Sequence, residues 1–396
     1  MRAVQAFATA TLPLLILALL QTGLPVLAPS LMMAAGRPAA DFGLVGGAMG
    51  LGSVWLFLVN RAFVGALGAL RSCRVAAIVS MAGVGLVATG DFGVMVAGAV
   101  LIGFAYAAVT PAGAEIIVAH TPPARRATVF SVRQAVVPLA GMIAGMGGIA
   151  LAGSVGWRGA LAAAAGLCAA LALGLGVVPR DLGGPPPTGE FSLCGLLRLK
   201  DLAQPFRFIR GRPGLGRMAL SCVAFATAQS AVNTFLVVFL TTSGGFSLTA
   251  AGALFATMQA VSIGGRLALG PIVDRLASPR SVLRMLAPLS AVSTFLVSSL
   301  SADWGDWQIG AVLVLAGLSV STWNGLYLAD VAAGFPNDVG EATAAVTLFV
   351  FGTFMLVPPA MTAIITLCGY RPAFLLAAVV VGVVPVVLLR PRGAAV

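Results

Sequence analysis

Residues 265–270 read Gly-Arg-Leu-Ala-Leu-Gly, and residues 60–65 read Asn-Arg-Ala-Phe-Val-Gly, the same short pattern in two halves of one chain. In each copy an arginine, Arg266 or Arg61, lies inside an apolar stretch four residues before a glycine. Only 9% of the chain is charged, and a charge within a membrane span is costly and usually functional. Because many secondary transporters are built from two repeats with the site at their interface, the pattern predicts a duplicated membrane protein.

The composition of the chain supports this class. Of its 396 residues 59% are hydrophobic, and the mean hydropathy is +1.04. Apolar runs of about 20 residues recur, and each is long enough to cross roughly 30 Å of hydrocarbon as a helix. The first run continues past Pro25 and Pro29 to about Ala35, which is too long for the core of a signal peptide, so it is predicted to be the first span. The fold class is therefore an all-α polytopic membrane protein.

Twelve membrane-spanning helices are predicted. They lie near residues 7–34, 43–63, 75–91, 93–119, 126–152, 158–178, 216–241, 247–272, 281–300, 308–334, 341–367 and 371–389. The turn Gly156-Trp157-Arg158 before span six has a counterpart, Gly369-Tyr370-Arg371, before span twelve. The sequence thus predicts a six-helix half over 1–178, a cytoplasmic basic linker over 179–215 and a second six-helix half over 216–396.

The distribution of basic residues predicts the orientation of the chain. The net charge of +11 indicates the positive-inside bias of membrane proteins rather than a nucleic-acid partner. Arginines concentrate at the termini, in the linker and in the even-numbered loops, whereas the opposite side has only Arg37, Arg158 and Arg371. Both termini are predicted to be cytoplasmic. Arginine outnumbers lysine 22 to 1, which suggests a GC-rich bacterial source and hence the inner membrane.

The linker differs in composition from the rest of the chain. It contains Pro185-Pro186-Pro187 followed by five basic residues. A short amphipathic helix near 191–208 is predicted there, and its basic face would rest on anionic lipid. A plain flexible connector explains the same residues equally well.

Neither cofactor nor metal is predicted, and the chain is not expected to be an enzyme. The five cysteines are scattered without paired spacing, and His120 is the single histidine. A membrane enzyme would need a convergent catalytic set, which these residues do not supply. A phosphate-binding glycine loop is also lacking, so ATP is not the expected energy source.

The chain resembles the major facilitator superfamily. Gly270, Asp274 and Arg275, with Arg280 after them, resemble the signature that this family carries between the second and third helices of a half. The first half departs from the signature, because Ala69 and Leu70 stand where it has the acid and the arginine. Residues 323–327 (Trp-Asn-Gly-Leu-Tyr) and 133–141 resemble a branch of cyanate-permease-like and nitrate-type anion porters. The resemblance implies two pseudo-symmetric six-helix bundles that move a substrate by alternating access.

Arg61 and Arg266 are the leading substrate-binding candidates. Arg266 precedes Asp274, at the predicted membrane edge, by eight residues, which places it about 12 Å inside, near the midplane. A guanidinium matches a carboxylate or another planar anion with two parallel donors, and the resemblance to nitrate-type porters implies an arginine on each of these helices. The alternatives are snorkelling towards the cytoplasm or a helix–helix hydrogen bond.

Further polar residues lie within the spans. Arg133, beside Gln134, would either join the cavity or pair with Glu115 or Asp330 as a gate. The two acids would either carry protons, since burial disfavours the charged carboxylate, or serve as static partners of buried arginines. Spans one, four, seven and ten line the cavity in the family that the chain resembles, so the remaining candidates, for which ordinary interhelical bonding is the alternative, are Gln21, Tyr106, Thr110, Gln229, Asn233, Trp323 and Asn324.

The cytoplasmic loops predict a charged gate with opposite polarity in the two halves. Asp274, next to Arg275, is expected to face Arg125 and Arg126 at the start of span five. Arg71 and Arg74 are expected to face Asp338 and Glu341 at the start of span eleven. Acids at a helix N-terminus are also favoured by the helix dipole.

The sequence therefore predicts a monomeric secondary transporter of a small anion, either an organic carboxylate or a planar inorganic ion, with the proton as candidate coupling ion. Export of hydrophobic or cationic compounds is the alternative, and it would favour acids rather than arginines at cavity depth. A non-transporting receptor with the same fold is a further alternative.

Overall fold

The computed structural model describes residues 2–184, 186–187, 189, 191–197, 204–276, 278–335 and 338–389. Within these ranges, side chains are described except at 61, 123, 124, 127, 193, 197, 213, 269–276 and 332. The described chain is helical almost throughout, because long apolar segments in a membrane can satisfy their backbone groups only within a helix or a closed barrel.

The first half contains six spans. They are formed by α1 (Arg2–Ala34), α2 (Phe42–Asn60), α3 (Ala69–Ala88), α4 (Phe92–His120), α5 (Pro123–Ile143) and α6 (Ile149–Val177). A π-helical turn at Arg61–Gly65 continues α2, and another at Ala144–Gly148 joins α5 to α6. The chain turns within α6 at Gly156, whose φ of 76° favours glycine, so this helix holds the end of span five and all of span six.

The second half has the same number of spans but one more helix. They are formed by α8 (Pro213–Thr242), α9 (Leu248–Leu276), α10 (Pro279–Val297), α11 (Asp306–Ser319), α12 (Trp323–Gly334), α13 (Val339–Cys368) and α14 (Tyr370–Leu388). Eleven stretches are long and apolar enough to cross a membrane, and one of them, 128–177, has 50 residues and includes the turn at Gly156. Counted as two spans, it brings the described chain to the twelve predicted.

The predicted span ten, near 308–334, is confirmed as Asp306–Val331, but it is not one continuous helix. The span divides into α11 and α12 at residues 320–322. The break follows from the local sequence Ser319-Val320-Ser321-Thr322, in which hydroxyls compete for the helix carbonyls. Ser319 Oγ donates to the carbonyl oxygen of Leu315 at 2.6 Å, and Thr322 Oγ1 donates to that of Leu318 at 2.5 Å.

The two halves meet along two pairs of helices. We use "terminus side" for the side where α1 begins and α14 ends, and "far side" for the opposite one. Towards the far side, glycines of α2 let α13 approach closely: a Cβ added at Gly50 would overlap the backbone of Met355, and one added at Gly47 would overlap Pro359. α5 and α9 meet in the same way at Gly145 and Gly252. Small residues at such crossings let helix backbones approach in lipid, so the far side is closed.

The linker lies on the terminus side against α2 and α13. Its described parts include 3₁₀ turns at Arg180–Gly183 and Leu193–Leu197 and the helix α7 (Gln204–Arg210). Trp55 Nε1 of α2 donates to the carbonyl oxygen of Leu196 at 3.0 Å, and α7 packs on α13 through Phe206 and Phe349. A short helix is therefore present in the linker, and its described residues, Gln204–Arg210, overlap the end of the region predicted at 191–208.

Candidate functional site

Arg266 lies at the boundary between the two halves. Its Nε donates to the carbonyl oxygen of Ser321 at 3.1 Å, and its Nη1 donates to that of Gln134 at 2.9 Å. Ser321 belongs to the break between α11 and α12, and Gln134 belongs to α5 of the other half. The guanidinium is partly buried and has no carboxylate within 4 Å among the described residues. Among the described residues, Arg266 is thus a cation bound by two backbone oxygens and by no acid.

Next to the break, three of the predicted residues form one hydrogen-bonded group. Gln229 Oε1 of α8 accepts from Trp323 Nε1 at 3.1 Å and from Asn324 Nδ2 at 3.4 Å. Asn324 Nδ2 also lies 3.4 Å from the carbonyl oxygen of Ser321, the acceptor of Arg266. Trp323 is fully buried and stacks on Phe225, with ring centroids 5.7 Å apart. The break therefore joins the arginine to the amide group.

Four other predicted polar residues lie on α8, α1 and α4, and two of them have a buried oxygen with no hydrogen-bond partner among the described residues. Asn233 is one turn beyond Gln229 on α8, and its Oδ1 is buried without a hydrogen-bond partner. Gln21 Oε1, on α1, is in the same situation. Tyr106 and Thr110 of α4 are half-buried. Buried polar atoms are normally hydrogen-bonded, so the buried oxygens of Asn233 and Gln21 are free to accept hydrogen bonds from a ligand.

Arg61 occupies the corresponding position in the first half. The backbone leaves helical geometry at Val59 (φ −110°, ψ 16°) and forms the π-helical turn that starts at Arg61. Such turns inside α-helices are frequent at functional sites. The neighbouring Asn60 has a buried Oδ1 without a partner. The Arg61 side chain lies outside the described residues.

Arg133 is enclosed within the first half, and of the two alternatives predicted for it, the pairing with Glu115 or Asp330 is not observed among the described residues. The side chain is 2% exposed. Its Nε donates to the carbonyl oxygen of Ala10 at 3.2 Å, and its Nη2 donates to that of Val109 at 2.7 Å. No ion pair with Glu115 or Asp330 occurs in the described part of the chain, because α1 and α4 surround the guanidinium and offer it carbonyl oxygens first.

The two acids within the spans have different surroundings. Asp330 is 8% exposed, and its Oδ2 lies 3.0 Å from Arg280 Nη2 and 3.2 Å from Arg280 Nε. Its partner is therefore an arginine of α10 rather than Arg133. Glu115 is half-buried and makes no ion pair with any described residue.

Comparison with known proteins identifies the family. Residues 11–352 match the sequence profile of the Major Facilitator Superfamily. The chain belongs to the Major Facilitator Superfamily. It is 27% identical over 301 residues to an uncharacterised MFS-type transporter of Mycobacterium tuberculosis, found in strains CDC 1551 and H37Rv. That match covers 73% of this chain and 63% of the relative, so the chain spans less than two thirds of the relative's length.

Solved MFS transporters share the fold along nearly the whole chain. The nucleoside transporter NupG superposes with a TM-score of 0.78 at 15% identity, covering 98% of this chain and 99% of its own. The human organic anion transporter MFSD10 gives 0.73 at 16%, with the same coverage. A bacterial homologue of the lysosomal transporter Spinster gives 0.72 at 17%, covering 98% and 96%. These structures show that the chain has the fold of this superfamily, and its long apolar helices make it an integral membrane protein, whereas the cyanate or nitrate branch stays a prediction.

The predicted gate pairs, which would form in the outward-open state, are not made by the described residues of this structure, whose far side is closed, so the gate stays a prediction. Asp338 Oδ2 pairs with Arg212 Nη2 of the linker end at 2.8 Å, and Glu341 is exposed without an ion pair among the described residues. Arg71 and Arg74 do not reach them, because α3 packs on α4 and α6 rather than on α13. Arg126 instead donates to the carbonyl oxygens of Thr121 and Val118 at the end of α4, while Arg125 is exposed. The side chains of Asp274 and Arg275 lie outside the described residues.

Three residues of this region were missed by sequence reasoning. Ser321 lies at the helix break, and Gln259 and Ser262 lie on the face of α9 that carries Arg266. The run of three hydroxyl residues within Ser319–Thr322 could have indicated the break. Gln259 and Ser262 precede Arg266 by seven and four residues, which is one helical face, and this spacing could have indicated them.

Proposed function

We propose that this MFS transporter carries a small anion that binds to Arg266. The observation that carries the proposal is the pair of hydrogen bonds from Arg266 to the carbonyl oxygens of Gln134 and Ser321. A guanidinium held only by neutral oxygens keeps its full charge uncompensated. A carboxylate carries the opposite charge and can accept two parallel N–H bonds from one guanidinium, which a single carbonyl oxygen cannot, so an arriving anion would compete well for the same N–H groups.

The same contacts supply a mechanism for coupling binding to movement. Without substrate, Arg266 links α9 and the break in span ten to α5 of the other half. An anion that takes the guanidinium weakens this link, and the halves can then move relative to each other. A ligand shifts a conformational equilibrium only if it binds the two states with different affinity. Here the anion would replace the Gln134 carbonyl oxygen as the acceptor of the Arg266 N–H groups, so it would bind better when the two halves are apart.

Arg61 is proposed as the second contact to the anion. It occupies the matching position in the duplicated pattern, on the π-helical turn that continues α2. Two arginines on opposite halves would let one anion contact both. Gln134, Gln229, Asn233, Trp323 and Asn324 would orient it.

The alternative, export of a hydrophobic cation, has one observation in its favour. An apolar cavity between α1, α6 and the π-helical turn at Ala144–Gly148 is lined by leucine, isoleucine, alanine and glycine. Its lining residues Ile143, Leu151 and Leu167 are exposed on the outer surface of the bundle. The cavity thus opens towards lipid, and it contains no group that would attract a cation.

A thermal-shift screen of the purified full-length chain tests the proposal. A ligand that binds only the folded state raises the free energy of unfolding, by about 2.7 kcal/mol at a ligand concentration of 100 Kd. The melting temperature rises as a result. The probes are acetate, lactate and nitrate on one side, and tetraphenylphosphonium on the other. The variants are Arg61→Gln and Arg266→Gln, and the control is Arg37→Gln, which removes an equal charge from an exposed Arg37–Asp41 pair.

We expect an anion to stabilise the wild type and the Arg37→Gln control but neither Arg61→Gln nor Arg266→Gln. Equal shifts in all four proteins would make the two arginines structural, and a response to the phosphonium alone would favour the exporter. Uptake of the stabilising anion into proteoliposomes then separates a transporter from a receptor that binds without moving its ligand.

We further propose that the proton is the coupling ion and that Glu115 carries it. Asp330 is held by Arg280, whereas Glu115 has no ion pair in the described chain. We also propose a monomer in a bacterial inner membrane with cytoplasmic termini. The orientation is supported by the basic residues on the terminus side, where Arg71, Arg74, Arg125 and the linker arginines Arg207 and Arg210 are exposed.

A further inference from the structure

One face of α9 carries three polar side chains, Gln259, Ser262 and Arg266, at spacings of three and four residues. Residues so spaced are neighbours on a helix surface. Among the residues of α9 whose side chains are described, the exposed ones lie on the opposite side: Thr249, Ala253, Thr257, Ala260, Gly264, Leu267 and Ala268. The polar face therefore points to the interior of the protein rather than to lipid.

The two neutral residues of this face, Gln259 and Ser262, are buried, and each has an oxygen atom without a described hydrogen bond. Gln259 is 3% exposed and Ser262 is fully buried. Gln259 Oε1 and Ser262 Oγ have no hydrogen-bond partner among the described residues, and Ser321 Oγ at the helix break has none there either. Native proteins leave few buried polar atoms unpaired, and although single ones such as Ser80 Oγ occur elsewhere, these three lie together beside Arg266, where a ligand could pair with them.

Packing of the neighbouring residues fixes where this face points. Gln259 faces α5, since a Cβ added at Gly141 would overlap its amide group. Met258, Val261 and Gly265 pack on α11 and the break at 320–322. Ser262 lies between these two sets of contacts, in the wedge between α5 and span ten. Arg266 donates to the carbonyl oxygens of Gln134 and Ser321 on the two sides of the same wedge.

The helical rise gives the dimensions of this wedge. Ser262 lies roughly 6 Å and Gln259 roughly 10 Å from Arg266 along α9, both towards the far side. A planar inorganic ion bound by Arg266 is too small to reach them. A carboxylate with a chain of several atoms can contact both ends.

We propose that Gln259 and Ser262 form a neutral hydrogen-bonding subsite and that the substrate is a hydroxylated carboxylate. The carboxylate is bound by Arg266, and the hydroxyl groups of the substrate pair with the Gln259 amide and the Ser262 hydroxyl. A hydroxyl can both donate and accept, so it satisfies either group. This inference rests on the proposed anion function and narrows it to one class of substrate.

Matched pairs of acids test the subsite in the purified full-length chain. Butanoate is compared with 4-hydroxybutanoate and hexanoate with gluconate, so that each pair differs in hydroxyl groups at equal carbon number. In the wild type we expect the hydroxylated member to bind with an apparent Kd about tenfold lower, as one net hydrogen bond provides. Ser262→Ala and Gln259→Leu are expected to reduce this preference to about twofold or less while hexanoate still shifts the melting temperature.

The controls separate the subsite from folding effects. Ser80→Ala removes an equally buried hydroxyl without a partner from α3, and it should leave the preference intact. Gln259→Asn keeps an amide, so it should retain part of the preference even if Gln259→Leu is poorly folded. The inference is overturned if the wild type shows no preference for the hydroxylated acid. It is also overturned if both Ser262→Ala and Gln259→Leu keep that preference.

Arg266→Gln distinguishes this failure from failure of the proposed function. If both members of each pair stabilise the wild type equally and neither stabilises Arg266→Gln, the anion function stands and only the subsite is overturned. If no acid stabilises the wild type, the anion function fails and the subsite fails with it.

Discussion

Arg133 and Arg266 make similar hydrogen bonds but lie in different places, Arg133 inside one half and Arg266 between the two halves. Each guanidinium donates to backbone carbonyl oxygens of two other segments. Arg133 joins α5 to α1 and α4 within one half and is 2% exposed. Arg266 joins opposite halves and is only partly buried. The first therefore fixes a bundle, whereas the second lies where the bundles must separate.

Gly113 provides the space for Arg133, because a Cβ added there would overlap the guanidinium. We expect Gly113→Ala to displace Arg133 from the Val109 carbonyl and to lower the unfolding free energy by about 1–3 kcal/mol, the cost of a poorly satisfied buried polar group. Denaturation of the purified chain measures it. Gly85→Ala in α3, where nothing lies within 4 Å of the new Cβ, is the control and should be neutral or slightly stabilising. Equal stability of the two variants would contradict this role.

Glu115 and Asp330 are predicted to differ in transport assays. Glu115→Gln removes a carboxylate without an ion pair, so we expect it to abolish uptake driven by a pH gradient while exchange of anion across the membrane continues. Asp330→Asn leaves Arg280 without its partner and should mainly lower the melting temperature. Proteoliposome flux with and without a pH gradient gives the readout. Normal pH-driven uptake by Glu115→Gln would exclude it as the proton carrier.

The sequence predicts helices better than it predicts interruptions in helices. The twelve spans follow from apolar length, and the turns at Gly156 and Gly369 follow from glycine before an aromatic residue. The break at 320–322 and the π-helical turns at Arg61–Gly65 and Ala144–Gly148 were not predicted. Hydropathy averages over about 20 residues, whereas these features depend on a few local hydrogen bonds. The same reason explains why Arg61 and Arg266 were found but Ser321 was not.

The linker is fixed to α2 by Trp55, whose Nε1 donates to the Leu196 carbonyl oxygen. Phe63 of the π-helical turn also meets Phe191, with ring centroids 6.3 Å apart. We expect Trp55→Phe to remove the hydrogen bond and to loosen the segment around the exposed Cys194. In a Cys368→Ser background, a thiol reagent should then label Cys194 several-fold faster. Unchanged labelling would show that the aromatic contact alone holds the linker.

The pairing of charged residues between distant segments could not be read from the sequence. Loop positions predicted that Arg71 would face Asp338, but the end of the linker supplies Arg212 to that carboxylate instead. A linker's path depends on packing over the whole molecule rather than on local pattern. The duplication fixes which helices correspond, yet it does not fix which loops touch.

At the scale of the whole molecule, contacts between the halves close the far side. A Cβ placed at Gly145 would overlap the carbonyl oxygen of Gly252 on α9. We therefore expect Gly145→Ala to push α5 and α9 apart and to lower the melting temperature of the purified chain. Gly148→Ala in the same π-helical turn, where nothing lies within 4 Å of the new Cβ, is the control. Equal melting temperatures of the two variants would mean that the contact does not need a glycine at 145.

The corners at Gly156 and Gly369 have a mechanical consequence. Each is a single glycine with positive φ, 76° and 83°, followed at once by the next span. Beside each corner an arginine lies over an aromatic ring, Arg158 over Trp157 and Arg371 over Phe295. Because each connection is so short, a tilt of the fifth or eleventh span must be followed by a movement of the sixth or twelfth span. An epitope tag inserted at either corner would therefore let the two connected spans move independently. The linker between the halves is long enough to accept the same tag without this effect.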